Sequence, residues 1–276
     1  MRKFYSSVLA VILLFSATNI SYAAEKNNNE KVKTNMKISK EATEEERELA
    51  EQIKKLKDKS KNREEYIKGL EELGTTPEKT IVFRYNQVTD ENGKKSLELI
   101  DKEEHEGNFD PSNAESDEMT TLGGEKTDLT MWVDVLPGED EIRGLQWITL
   151  DYYFEWSDTE WVNGSEDGWA VNWDTTEAYA TATGADGDMT IEEEAIGGMG
   201  ITTDDDNEQG NAYVILKPRK GYDQHSADGE ITFEYAHTWG YDAPPITFSV
   251  AKGVVSIGSE IDLEESAWTK SGRDNY

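Results

Sequence analysis

The side chains of this 276-residue chain that could do chemistry are mostly acids. Two runs are denser than their surroundings. One is "GADGDMTIEEE", with Asp186, Asp188 and Glu192 to Glu194; the other is "TDDDNEQGN", with Asp204, Asp205, Asp206, Asn207 and Glu208. Calcium takes about six to eight oxygens from carboxylates, amides and carbonyls, which turns supply readily. Asp186, Asp188, Asp204, Asp206 and Glu208 are therefore the candidate metal ligands, and calcium is the candidate cofactor. The competing reading is two solvated acidic turns. Neither run fits the helix-loop-helix calcium pattern, because the first lacks an acid at its opening position and the surrounding sequence is not helical.

Other chemistry finds little support. There is no cysteine and no G-x-S-x-G, so nucleophilic catalysis has no motif. The three histidines, His105, His225 and His237, are scattered and lack metal-ligand spacing. A carboxylate pair could hydrolyse a glycoside. With 44 acids between residues 81 and 276, however, such a pair can be drawn almost anywhere. A formal charge of −30 repels nucleic acid and anionic membranes. Four tryptophans crowd "FEWSDTEWVNGSEDGWAVNWD" and could form a sugar platform or a core. Side chains alternate along a strand, so Ile148, Leu150, Tyr152, Phe154 and Trp156 share one face, as do Trp169, Val171 and Trp173. Those faces are apolar, and Trp156, Trp169 and Trp173 belong in the core. Trp161, in a loop, and Trp147, on the other face, remain as candidate ligand-binding aromatics.

These residues must be held by short strands. "TIVFRYNQV" and "KKSLELI" flank the turn "TDENG" as a hairpin. About eight further runs follow, from "LTMWVDVL" to "ITFSVAKGVVSIG", between Gly- and Asp-rich turns. The fold class is mainly β, a β-sandwich or barrel over 79–276, preceded by a helical segment.

The start of the chain is of a different kind. Arg2 and Lys3, the apolar run "VLAVILLF" and "SYA" ending at Ala23 make residues 1–23 a secretory signal peptide. No later stretch is apolar enough for a membrane helix. Residues 24–40 are polar and read as a disordered linker. Residues 41–76 read as a charged amphipathic helix, or two. Thr43 and Glu46 match a capping box, Gly74 marks the stop, and Leu49, Ile53, Leu56, Ile67 and Leu70 form a narrow seam interrupted at Ser60 and Arg63. That seam could dock on the main domain or drive self-association. Residues 25–80 hold 14 Lys and Arg against 14 Asp and Glu, and 81–276 hold 12 against 44. This shift predicts a boundary near Pro77 and an acidic domain that folds alone.

"YYFEW", "DGWAVNWD", "YVILKPRK" and "FEYAHTW", taken in that order across residues 130–260, resemble uncharacterised exported β-rich proteins of Gram-positive bacteria. The resemblance implies a secreted sandwich and carries no activity. The function expected is that of a secreted, non-enzymatic binding protein, extracellular or loosely attached to the cell wall, with cell-wall polymer or another protein as partner. The alternatives are a secreted toxin or antagonist acting on target membranes, suggested by "EAYATATG" and "IGGMGITT", and a carboxylate-based glycan-active enzyme.

Overall fold

The computed structural model describes residues 33–89, 91, 95–111, 128–157, 166–204, 207–238, 245–258 and 267–276, with the side chains of 87, 89, 95–97, 128 and 267–273 left aside. The signal peptide, residues 24–32 of the expected linker, Trp161, Asp205 and Asp206 lie outside the described residues.

The protein is mainly β, with large antiparallel sheets and two short helices early in the chain, consistent with a sandwich. Seven strands form the first sheet, in the order β1 (Asn35–Ile38), β7 (Ala178–Ala185), β10 (Gln209–Pro218), β5 (Leu145–Trp156), β4 (Asp128–Asp140), β2 (Lys79–Thr89) and β3 (Lys95–Glu106). The second sheet runs β14 (Ala267–Asn275), β11 (Glu230–Thr238), β6 (Asp167–Trp173), β9 (Gly198–Thr203) and β8 (Thr190–Ala195). β12 (Phe248–Ala251) and β13 (Val254–Ile257) make a separate hairpin. The expected β2–β3 hairpin is present, with a register shift between Arg84 and Tyr85.

Between the sheets lies the main core. The first sheet contributes Phe83, Met131, Leu150, Tyr152, Phe154 and Trp156; the second contributes Trp169, Val171, Trp173, Phe233 and Tyr235. Phe154 meets Trp169 and Tyr235 edge-on, with ring centroids 5.2 and 4.9 Å apart. The alternation placing Trp156, Trp169 and Trp173 inside is thus the observed one.

Parts of the outer faces of both sheets are covered too. α1 (Glu44–Lys59) and α2 (Arg63–Glu72) lie on the first sheet. Thr43 caps α1: the Glu46 main-chain N–H donates to Thr43 Oγ1 at 3.3 Å, and the Thr43 N–H donates to Glu46 Oε2 at 2.9 Å. The helix breaks at Ser60, and Asn62 caps α2 by accepting the Glu65 N–H at 2.9 Å. Gly74 ends the segment with φ of +99°, a region that favours glycine. Leu49, Ile53, Tyr66, Ile67 and Leu70 pack on Leu136, Trp147, Tyr213 and Ile215. On the far side, the β12–β13 hairpin lies over the second sheet. There Asn172 donates to the Val255 carbonyl at 2.9 Å and accepts the Val255 N–H at 2.8 Å.

Three expectations are corrected here. Residues 35–38 of the expected linker are strand β1, pairing Asn35–Ile38 with Ala185–Ala182; four residues are too few for alternation to be read in sequence. The break near Pro77 bounds no domain, because Val32–Tyr276 is one compact unit. The helical seam is spent on the chain's own sheet, so it does not offer the surface for self-association.

Candidate functional site

Two places gather reactive side chains. The first is one end of the second sheet, where β6 and β8 begin and β9 ends. Register pairs Asp167 with Thr203 and Thr190 with Thr202. The residues just outside those strands therefore meet: Glu166, Asp188 and Asp204, with Thr190, Thr202 and Thr203, line a shallow cavity of ≈ 160 Å³. Asp188 and Asp204 come from the two acidic runs singled out in the sequence, and the sheet brings them together.

The rest of those runs goes elsewhere. Glu192 to Glu194 belong to β8 rather than to a turn, and Glu194 pairs with Lys37 at 2.9 Å. Asp186 accepts the Asn211 N–H at 2.9 Å, and burial pushes its carboxyl up to about 6 against the pull of Lys57. Glu208 is exposed. Among the described residues, no three acidic or histidine side chains stand close enough together to hold a metal ion.

Beside this end sits a buried polar knot. Asp167 accepts the Tyr235 hydroxyl at 2.8 Å and the Thr238 N–H at 2.9 Å, and His237 Nδ1 lies 3.0 Å from Asp167 Oδ1. Trp156 Nε1 donates to Tyr235 at 3.4 Å. A carboxylate accepting several bonds fixes the strand end, and His237 reads as structural.

The second place lies beneath the helices. Asp134 and Asp151 are cross-strand partners on β4 and β5, both fully buried. Each meets a cation from a helix. Arg63 donates through Nε and Nη2 to the two oxygens of Asp134, at 2.8 and 2.7 Å, and Thr80 adds a hydroxyl at 2.8 Å. Burial raises the Asp134 carboxyl above its ordinary range, opposed by Arg63 and the Thr80 hydroxyl. Lys57 Nζ lies 2.5 Å from Asp151 Oδ1 and donates to Asn211 Oδ1 at 2.7 Å. The rings of Tyr66, Tyr213 and Tyr153 stand 4.0, 4.8 and 5.8 Å from that amine. Burial raises all three phenols, with Asp151 adding to the effect.

No family model, curated protein or solved structure matches the chain.

Trp147 is corrected. It was a candidate binding aromatic on the outward face of β5, yet only 1% of it is exposed, because the helices cover that face. The same cover hides Asp151, which shares the face. Sequence reasoning passed over Lys57, Asp151 and Asn211. The available signal was Lys57 at four residues beyond Ile53, on the flank of the apolar seam, and Asn211 opening the otherwise apolar run "NAYVIL".

Proposed function

We propose that the protein is an exported, non-enzymatic binding protein of the cell envelope or the surrounding medium, whose binding end is the acid-lined end of the second sheet. Calcium is the ion this end takes, held not by a cage of three carboxylates but by one or two of them with the hydroxyl, carbonyl and water oxygens around the cavity. The observation that carries the reading is the convergence of Glu166, Asp188 and Asp204 from three neighbouring strand ends. Calcium accepts hydroxyl, carbonyl and water oxygens beside carboxylates, so the surrounding threonines suit it. Export rests on the charged start, short apolar run and "SYA" of residues 1–23. Cell-wall polymer or another protein is the partner.

Features of the fold favour this reading over its alternatives. β7 ("AYATATGA") and β9 ("GMGITT") are paired on both sides, and most of their residues are buried. Inserting them into a membrane would dismantle both sheets. The carboxylates that face each other, Asp134 and Asp151, are sealed under helices and engaged by Arg63 and Lys57.

The test compares thermal unfolding in calcium with unfolding in sodium chloride of equal ionic strength. At 1 mM calcium, a site of about 0.1–1 mM affinity adds about 0.4–1.4 kcal/mol by mass action. Asp188→Asn with Asp204→Asn should abolish the calcium-specific part. Identical curves in the two salts would refute the calcium site.

A further inference from the structure

The junction of Lys57, Asp151 and Asn211 has the composition of a reaction centre rather than of an ion pair alone. A primary amine, a carboxamide and a carboxylate meet where little water enters: 7% of the Lys57 side chain is exposed and none of Asp151. We propose that the Lys57 amine condenses with the Asn211 carboxamide, forming an intramolecular amide cross-link between α1 and β10, with Asp151 carrying the proton.

The geometry supplies each requirement. Nζ touches the carboxamide at 2.7 Å from Oδ1. Turning the carboxamide over leaves Cγ in the same place, so the amine faces its electrophile in either orientation. Asn211 is itself held, since Nδ2 donates to the Tyr152 carbonyl at 2.9 Å and the main-chain N–H donates to Asp186. Asp151 is held as well: Tyr66 donates its hydroxyl to Oδ2 at 3.1 Å, which leaves Oδ1 facing Nζ at 2.5 Å. Oδ1 accepts no hydrogen bond among the described residues. A buried oxygen without a donor, beside an ammonium, is placed to take a proton. Helix and strand hold amine and carboxamide in contact, and this proximity substitutes for the high concentration an intermolecular aminolysis would need.

The step balances without a co-reactant. The Lys57 ammonium gives one proton to Asp151, whose Oδ1 faces Nζ at 2.5 Å. The free amine pair of Nζ adds to Cγ. The Nζ–Cγ bond forms, the Cγ–Nδ2 bond breaks, and Nδ2 leaves as ammonia with its own two hydrogens and one from Nζ. The proton held by Asp151 follows it as ammonium, restoring the carboxylate. Nothing is oxidised or reduced. In a chain with no cysteine, the product does what a disulfide does elsewhere, fixing the helical cap to its sheet across 154 positions of sequence.

The test is mass spectrometry of the purified full chain, with its N-terminus determined. The expected mass is below the sequence mass by one ammonia. Trypsin should leave Lys57 uncut and yield residues 56–59 joined to residues 144–219, which contain Asn211, since the Lys217–Pro218 bond resists cleavage. Lys57→Arg and Asn211→Ala should show full mass and no joined peptide. Asp151→Asn should keep the amine and carboxamide unjoined, or join them far more slowly. Should Lys57→Arg fail to fold, Asn211→Ala keeps the Lys57–Asp151 pair and carries the same test. A folded wild-type chain of full mass, cut at Lys57, overturns the proposal. A link formed at the wild-type rate in Asp151→Asn overturns the role given to Asp151.

Discussion

Arg63→Ala is the sharpest probe of how the helices are held. Its guanidinium makes two bonds to Asp134, a carboxylate on the covered face of β4 that is fully buried. Removing one partner of a buried pair leaves the other charge uncompensated, at a cost of about 3–5 kcal/mol. The Thr80 hydroxyl remains to Asp134, and the carboxyl can take a proton, so the lower half of that range is expected. For a chain of this size each kcal/mol moves the melting temperature by about 2–4 °C, giving a fall of about 6–16 °C for a cost of about 3–4 kcal/mol, read by circular dichroism. The sign with pH follows from Asp134. Burial already raises its folded pKa above the unfolded value, and losing Arg63 raises it further. The stability belonging to the protonated form is complete below the unfolded pKa and is lost as pH rises through the folded one. Arg63→Ala should therefore be least damaging at acid pH, and adding Asp134→Asn should recover part of the loss at neutral pH. A cost under about 1 kcal/mol, flat with pH, is what an exposed pair gives and would refute the view that this pair is desolvated beneath the helices.

Trp147→Ala should cost about 3–5 kcal/mol, like Trp169→Ala, because both rings are almost wholly buried; equal melting of variant and parent would return Trp147 to the surface. A chain beginning at residue 79 should lose its cooperative unfolding transition, because deletion uncovers Leu136, Trp147, Tyr213 and Ile215 and strips Asp134 and Asp151 of their cations. A sharp transition in that fragment would restore the independent acidic domain.

Much of the architecture was legible in the sequence. Alternation in "WITLDYYFEW" and "GWAVNW" placed three tryptophans inside, and Thr43, Glu46 and Gly74 marked the helical segment. What alternation cannot say is whether the second face of a strand meets water. Trp147, Thr149, Asp151 and Tyr153 looked like an outer face, and Ala170 and Asn172 likewise. Both faces are covered by elements distant in sequence, the helices on one side and the β12–β13 hairpin on the other. The acidic runs were half legible. Composition marked Asp188 and Asp204, but only the antiparallel register of β8 on β9 shows that they meet and that Asp186 turns instead toward Asn211.

The charge step near residue 80 shows how a true observation can support the wrong inference. A neutral segment followed by a strongly acidic one reads as two bodies. Yet the cations of the first are the counter-ions of the second. Arg63 meets Asp134, Lys57 meets Asp151 and Lys37 meets Glu194, while Glu46 of α1 takes Lys217 in return. Buried acids on an outer sheet face would be ruinous if that face were open to another segment of unspecified charge, since desolvating an unpaired carboxylate costs several kcal/mol. The same acids give the face its specificity. An apolar sheet surface would accept any amphipathic helix in several registers, whereas Asp134 and Asp151, opposite each other on neighbouring strands, accept only a segment that presents two cations at the matching separation. Lys57 at the end of α1 and Arg63 at the start of α2 do so because Ser60 to Asn62 break the helix between them. The interruption of the apolar seam, which looks like a flaw in a single long helix, is therefore what sets the register of the cap on its sheet.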